Sequence, residues 1–363
     1  MGMEPDKKVC IIGPSPDSPY QGGVATHIST LKTLACFKDA EVIDPGSIHS
    51  NNKTGIVSIF RSLTGLKQRI LLGRFTHVFV NTSIYTGSII KLLLILAILP
   101  NADNTKIHVF YHGGRFQSLP AWLSVLLSTL CLRLMHKVRM HHFLSKIQQE
   151  GFVPVCKGCS VGLFANYAQG DDIWLRHLKS QNAPLKLLFV GRLVKEKGIF
   201  EALEAFNRLH GADGQVELTV AGDGPAYPEL STMCKYISDG ALRFLGHVSG
   251  ETLEQAYREA DLLVIPSYHE AFPYAAIEAM RAGLPMISTS SGALEMLVED
   301  GVTGFKIPPR DVSALEKAIR TILENRELLK PMSDNCYEYF KAHLSKSAAE
   351  QYYSRLLGTC TVA

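Results

Sequence analysis

The strongest chemical signal in the chain is the run Pro266-Ser267-Tyr268-His269-Glu270-Ala271-Phe272-Pro273-Tyr274-Ala275-Ala276-Ile277-Glu278-Ala279-Met280. A strand that ends at Ser267 leaves Glu270 in the turn after it. Pro273 suits the first position of a helix that Gly283 closes ahead of Pro285. The unpaired N–H groups opening such a helix favour an anion. Glu278 stands about 80° around from Glu270 on ideal helical spacing, so the two acids can address different parts of one elongated ligand. The neighbours of Glu278 are small or apolar (Ala275, Ala276, Ile277, Ala279, Met280), which argues against a merely solvated face.

Two cations stand in the loop Gly191-Arg192-Leu193-Val194-Lys195-Glu196-Lys197-Gly198. Arg192 offers a fork of donors and Lys197 a compact point charge, and from one loop both can reach an interdomain cleft and grip a diphosphate. The tight turn Ala221-Gly222-Asp223-Gly224-Pro225 reads as chiefly structural. In the first half, Gln21-Gly22-Gly23-Val24 precedes His27 and a helix-like run. Glycines at a strand-to-helix junction let backbone N–H groups approach a phosphate, although this is not the G-x-G-x-x-G of a dinucleotide fold. Tyr111-His112-Gly113-Gly114-Arg115 follows a strand and has two readings: a glycine-loosened floor for substrate, or a histidine capping a turn.

These residues need strands and helices to place them. Short apolar runs read as strands at Lys8–Gly13, Glu41–Asp44, His77–Asn81, Ile107–Tyr111 and His142–Leu144 in the first half. In the second they fall at Leu185–Gly191, Val216–Gly222, Leu242–Gly246, Asp261–Ser267, Pro285–Ser290 and Gly304–Ile307. Helical patterns such as Phe200–His210, Leu253–Ala260 and Val312–Asn325 lie between them. Continuous apolar strands alternating with helices imply two α/β domains with mostly parallel sheets. The expected divisions are 1–180, 181–337 and a helical segment 338–363 that returns to the first domain. Ser88–Leu99 and Leu119–Met140 read as helices. The first is well short of the roughly 20 residues that span a bilayer, and the second gains Arg133, His136, Lys137 and Arg139 late.

The 363 residues are 46% hydrophobic and 20% charged, which excludes a disordered chain, a collagen-like repeat and a multi-span membrane protein. The net charge of +3 hides an asymmetry. Residues 1–180 hold 19 Lys+Arg against 10 Asp+Glu, and the rest hold 18 against 24, so the halves carry +9 and −6. A basic half with apolar helices suits an anionic membrane surface. No aromatic-interleaved basic motif points to nucleic acid. The eight cysteines are scattered. Cys156 and Cys159 form a lone Cys-x-x-Cys with no His at sequence ligand spacing, which reads as reduced thiols. No export segment is read at the N-terminus, so the expected location is cytoplasmic, peripheral on the inner face of the plasma membrane.

The second half resembles the retaining glycosyltransferases of the GT4 family (glycosyl transferases group 1). The resemblance rests on Gly191-Arg192…Lys197-Gly198, Ala221-Gly222-Asp223-Gly224-Pro225, Leu245-Gly246 and Glu270…Glu278. The first half is similar more loosely, through Gly22-Gly23 and His112. The resemblance implies the GT-B fold, two Rossmann-like domains facing across a cleft, with a nucleotide diphosphate sugar as donor and a saccharide or lipid-linked acceptor. It assigns Arg192 and Lys197 to the donor diphosphate and Glu278 to the ribose hydroxyls. It assigns Glu270 to the donor sugar, with backbone amides across Ala271, Phe272, Tyr274 and Ala275. Gly22 and Gly23 would let the first-domain loop approach the diphosphate, His112 would sit beside the transferred sugar, and the backbone at His247 and Val248 would meet the base. Arg192, Lys197, Glu270 and His112 form the expected catalytic set. Retention by front-face attack is implied, with the leaving phosphate taking the acceptor proton.

No Asp-x-Asp occurs, so neither a metal nor another cofactor is expected. Family frequency favours a UDP-sugar over a GDP-sugar. Ala271 and Pro273 stand where relatives often carry glycine, and proline removes one backbone donor to the sugar. The donor sugar therefore does not carry over from relatives. The rival readings are a non-hydrolysing sugar-nucleotide epimerase and a non-catalytic binding protein. A role in surface polysaccharide or glycolipid biosynthesis is expected.

Overall fold

The computed structural model describes residues 8–14, 23–44, 64–65, 67–68, 70–72, 75–100, 105–129, 132–174, 183–213, 215–233 and 240–358. It divides into two compact units, Met1–Gln169 with Ala349–Ala363, and Gly170–Ala348. Both divisions differ by about ten residues from the sequence reading. The stretch from 170 onward goes with the second unit, and residues 338–348 stay there as well.

The first unit is built on six parallel strands: β1 Val9–Ile12, β2 Glu41–Ile43, β3 His77–Ile84, β4 Lys106–Gly114, β5 Val138–Phe143 and β6 Val161–Leu163. They lie in the order β2-β1-β3-β4-β5-β6. The helix Thr86–Ile98 buries Ile89, Leu92, Leu93, Ile95 and Leu96. On the opposite sheet face Phe79 and Phe110 stack 5.5 Å apart, and Tyr353 of the helix Lys346–Leu357 packs onto both and onto Phe37. That aromatic seam ties the end of this helix to the sheet.

Three features of this unit depart from the sequence reading. Leu119–Met140 is not one helix. Helices Ala121–Ser128 and Leu132–Met135 are followed by β5, which starts at Val138. There a β-branched residue and sheet register against β4 override the apolar run. β6 escapes recognition because it is a three-residue edge strand with Gly162 at its centre. His112-Gly113-Gly114 are not a loop but the last residues of β4. Gly114 has φ +83, and a Cβ there would lie 2.3 Å from the Ile84 carbonyl oxygen, so the neighbouring strand permits only glycine.

The second sheet is also wholly parallel: β7 Leu185–Val190, β8 Val216–Ala221, β9 Leu242–Gly246, β10 Leu262–Ile265, β11 Met286–Thr289 and β12 Gly304–Ile307. Its order is β12-β11-β10-β7-β8-β9. The chain builds outward from β7 to β9, then crosses back and builds the other way from β10. The order therefore reverses between β7 and β10, and such a switch point leaves a crevice at the carboxyl ends of those two strands. Helices Ile199–Asp213 and Val312–Glu324 pack together on one face. Asp311 caps the latter by accepting the Ala314 N–H at 2.8 Å.

The first unit buries an unusual number of histidines: His27, His77, His108, His112, His141 and His142. His108 Nδ1 meets His142 Nε2 at 3.2 Å, and His142 Nδ1 meets the Tyr352 hydroxyl at 2.7 Å. Burial pushes His27 down to about 3 and His141 down to about 4. It also lowers His108, further disfavoured by charge on His77, Lys106 and Arg139, and His142, further disfavoured by charge on His108 and His141. Their folded pKa values lie below the unfolded one, so between roughly pH 6.5 and 4 the unfolded chain binds more protons and stability falls with pH. Each such histidine contributes about 1.4 kcal/mol per pH unit in that window. The urea midpoint should therefore fall steadily from pH 7.5 to pH 5. A midpoint constant across that range would contradict the burial of neutral imidazoles.

Candidate active site

The loop after β7 and the loop after β10 meet at the switch point. Gly198 closes the short 3-10 turn Lys195–Lys197 in a left-handed conformation, φ +73, and a Cβ on it would lie 2.2 Å from the Pro266 carbonyl oxygen. The Tyr268 N–H donates to the Glu196 carbonyl at 2.8 Å. This backbone contact sets Lys197 beside Glu270, and their Nζ–Oε1 distance is 2.6 Å. Glu270 is held from behind. Its own N–H donates to Ser291 Oγ at 2.8 Å, and Gly292, φ +58, packs so closely that a Cβ would lie 1.9 Å from the Glu270 carbonyl oxygen. The Ala293 N–H donates to the Ala271 carbonyl at 2.8 Å. The acid therefore sits on a loop fixed by backbone on both sides.

Arg192 stands exposed on the same loop as Lys197, and its guanidinium has no acidic partner among the described residues. The turn below it is locked by Leu193 N–H to the Asp223 carbonyl, 2.9 Å. Gly222 approaches Gly191 so closely that a Cβ would lie 1.9 Å from the Gly191 carbonyl oxygen. The turn Ala221–Pro225 is thus the support for the cationic loop, in line with its structural reading. His247 and Val248 follow β9 at the same carboxyl edge of the sheet, His247 exposed.

Glu278 occupies the helix Tyr274–Arg281. Pro273 precedes that helix as its N-cap rather than opening it, and Gly283, φ +60, ends it as expected. Because Glu270 lies in the turn before the helix, ideal helical spacing does not relate the two acids. Glu278 Oε2 accepts the Tyr257 hydroxyl at 2.8 Å, and that hydroxyl also lies 3.2 Å from the Ala275 carbonyl. Burial raises the Glu278 pKa, while the Tyr257 hydrogen bond and the nearby Arg281 pull it down. Arg281 is itself fixed by Asp172, through an ion pair and an Nε–carbonyl bond of 2.8 Å, and by the face of Trp174 at 4.4 Å. Phe272 is buried, and Tyr274 and Ala275 open the helix, so their N–H groups have no partner within it.

In the first unit, His112 is buried at the end of β4. Its Nε2 donates to Asn81 Oδ1 at 2.8 Å, which fixes the proton on Nε2 and leaves Nδ1 as an acceptor with no partner among the described residues. Burial and the adjacent His27, whose ring is 4.5 Å away, hold the His112 pKa well below 6.5. It is a neutral, oriented imidazole. Asn81 also lines a pocket of about 130 Å³ with Ile12, Gly13, Ser83, Ser88 and Lys91. That pocket lies at the carboxyl ends of β1 and β3, where the order of the first sheet reverses. Gly23 begins the helix Gly23–Leu31, and Gly22 lies outside the described residues.

A larger cavity in the second unit, about 390 Å³, is lined by Lys186, Glu217, Arg243, Glu251 and Gln255. Lys186 and Glu217 sit at the amino ends of β7 and β8, away from the acids and cations above. The convergent charges of Arg192, Lys197 and Glu270 lie instead at the switch point, at the carboxyl ends of the strands where such sheets bind ligands. Sequence reasoning did not find Asn81, Tyr257 or Ser291. Asn81 had a signal, a polar residue ending an apolar strand. Nothing in the sequence pairs Tyr257 with Glu278 or Ser291 with Glu270, because both pairs form only across the fold.

Comparison with known proteins fits this arrangement. Residues 171–339 match the family described as Glycosyl transferases group 1. A glycogen synthase of Mycobacterium tuberculosis is 36% identical over 148 residues, 40% of this chain and 36% of that protein. The alpha-D-kanosaminyltransferase of Streptomyces kanamyceticus is 31% identical over 167 residues, 45% of this chain and 42% of that protein. The chain thus spans well under half the length of these curated relatives. The fold is shared along almost the whole chain with Anabaena HepE, solved in complex with UDP: TM-score 0.73, 16% identity, covering 97% of this chain and 100% of that one. The sucrose-phosphate synthase of Thermosynechococcus elongatus gives 0.67 and 18%, covering 98% and 100%. The two parallel sheets are of the GT-B class, and residues 171–339 of this chain are similar to the glycosyl transferases group 1 family.

Proposed function

We propose that the chain transfers a glycosyl group, with retention and without a metal, from a nucleotide diphosphate sugar to a saccharide or lipid-linked acceptor. The observation that carries this reading is the Lys197–Glu270 pair at the switch point, with Arg192 beside it and Glu278 in the helix that follows. UDP is the preferred nucleotide, and the shared fold of HepE, solved with UDP and with UDP-glucose, supports that preference.

The residues divide the work by charge. A diphosphate arriving at the carboxyl edge gives the Lys197 ammonium a better anion than Glu270 and gives Arg192 two oxygens to fork. Glu270, released from Lys197, then accepts from the sugar hydroxyls. Glu278 keeps one oxygen on Tyr257 and offers the other to the ribose. In the transition state positive charge grows on the sugar and negative charge on the departing phosphate. Cations fixed on that phosphate stabilise the transition state more than the ground state. The leaving phosphate takes the acceptor proton, so no carboxylate has to attack the sugar. His112 contributes a neutral acceptor, its bare Nδ1, to a hydroxyl of sugar or acceptor.

The acceptor side of the reading rests on the first unit. No helix among the described residues is long and apolar enough to cross a membrane. Tyr85, Ile90, Leu94, Trp122 and Val125 are nonetheless exposed there, Trp122 at 56%. With the +9 balance of residues 1–180 they suit contact with an anionic membrane surface and a role in building surface polysaccharide or glycolipid.

A panel of UDP, GDP, ADP and dTDP tests the donor site. UDP should raise the melting temperature most, equally with and without chelator. Lys197→Ala and Arg192→Ala should each weaken UDP about 10–100-fold, the scale of a lost charge-assisted hydrogen bond. Transfer of labelled sugar should fall about 100–1,000-fold in the same variants. No response to any nucleotide would count against the reading, and failure to sediment with anionic vesicles at low salt would remove its membrane part.

Asn81→Asp tests His112. A carboxylate on Nε2 stabilises the imidazolium and raises the His112 pKa, so Nδ1 becomes protonated as pH falls toward 6. The variant should lose activity on the acid side of neutrality, whereas the wild type should show no such limb between pH 6 and 8. Parallel profiles would mean that His112 has no part in the reaction.

A further inference from the structure

Cys156 and Cys159 lie in the loop that leads into β6, and the structure joins them as a disulfide with their Cα atoms 5.8 Å apart. This corrects the expectation of reduced thiols. The histidine missing at sequence spacing also arrives, from a different element. His136, in the turn between the helix Leu132–Met135 and β5, brings Nδ1 to 3.9 Å from Cys159 Sγ. All three candidate ligand atoms lie within 4.8 Å of one another.

We propose that the dithiol form of this loop, with His136, binds one Zn²⁺ through Cys156 Sγ, Cys159 Sγ and His136 Nδ1. Two thiolates and an imidazole are the ligand chemistry that zinc selects over hard cations. A tetrahedral zinc with Zn–S of about 2.3 Å and Zn–N of about 2.0 Å sets its ligands roughly 3.5–3.8 Å apart, close to the observed sulfur–imidazole separation. The second sulfur reaches its place by rotation about its own Cα–Cβ bond. A disulfide alone gives the imidazole no task, whereas a metal uses all three groups.

The backbone is shaped to suit. The Cys159 N–H closes a turn onto the Cys156 carbonyl at 3.4 Å. Gly158 takes a left-handed conformation there, φ +79, and faces His136 Cε1 with space where a side chain would stand. Cys156 is buried, in the apolar core with Met135, Val138 and Phe152, and Cys159 packs partly against it. Water is thus excluded from one side of the trio. His136 and Lys157 are exposed on the other, where a solvent molecule completes the coordination. Binding releases one proton from each thiol to solvent. The ion would clamp the turn into β5 to the loop into β6 at the edge of the first sheet, remote in sequence from the donor residues and independent of their chemistry.

The test uses this chain treated with a phosphine, which takes an oxygen from water to become phosphine oxide while the disulfide takes up two electrons from the phosphine and the two protons of that water. Excess Zn²⁺ or Co²⁺ is then added and removed by gel filtration. The proposal predicts one metal per chain and, with Co²⁺, a thiolate-to-metal absorption band of two-sulfur intensity. Cys156→Ser and Cys159→Ser should abolish the band, and Cys36→Ser should leave it unchanged. His136 is exposed, so His136→Ala should fold and still weaken Co²⁺ at least about 10–100-fold, the loss found even for outer-shell partners. No retained metal, a band that survives loss of either cysteine, or affinity indifferent to His136→Ala would each overturn the site.

Discussion

Lys197 and Glu270 lie 73 residues apart in the chain, and their 2.6 Å contact depends on two backbones touching. Gly198 lies against Pro266, Gly292 lies against Glu270, and neither position has room for a Cβ. The pair is half-open to solvent on the lysine side, so its own contribution to stability is small. Its importance is positional. It holds a cation and an acid together, with the right polarity, at the one point where the order of the second sheet reverses. A diphosphate that binds there would meet loop backbones already fixed by the fold, and only the Lys197 side chain would have to change partner.

The other candidate groups are held in the opposite manner, by burial. Glu278 is taken from water and kept in place by Tyr257, while Arg281, pinned by Asp172 and Trp174, lowers the cost of its charge. His112 is taken further from water and is neutral, its tautomer set by Asn81. One acid is thereby kept as a hydrogen-bond acceptor and one imidazole as an uncharged one. Lys197 by contrast is only partly buried, and Arg192 is exposed.

The second unit was legible because its physics is local. Six strands read as apolar runs, each ended by a turn with glycine or proline, and all six stand where those runs placed them. Arg192, Lys197 and Glu270 stand out in the sequence because loops at the carboxyl ends of such strands are natural sites for polar chemistry, and Glu278 because its neighbours are small or apolar. The first unit was harder to read. β5 hides behind an apolar stretch that looks helical, β6 has three residues, and the His112 segment looks like a glycine loop but is a strand. Tyr257, Ser291 and Asn81 could not be paired with their partners from sequence, because each pairing is set by sheet order rather than by spacing. The same holds for His136, whose nearness to Cys159 follows from adjacent strands β5 and β6.

The account turns on Lys197 changing partners when the diphosphate binds. Calorimetric titration of UDP, without a sugar, into the wild type and Glu270→Gln addresses this directly. If Glu270 competes with the diphosphate for Lys197, Glu270→Gln should bind UDP more tightly while losing sugar transfer, and Lys197→Ala should abolish that gain. If Glu270→Gln instead binds UDP as weakly as Lys197→Ala does, the pair acts as a single structural unit. The partner exchange at the centre of the account would then be wrong.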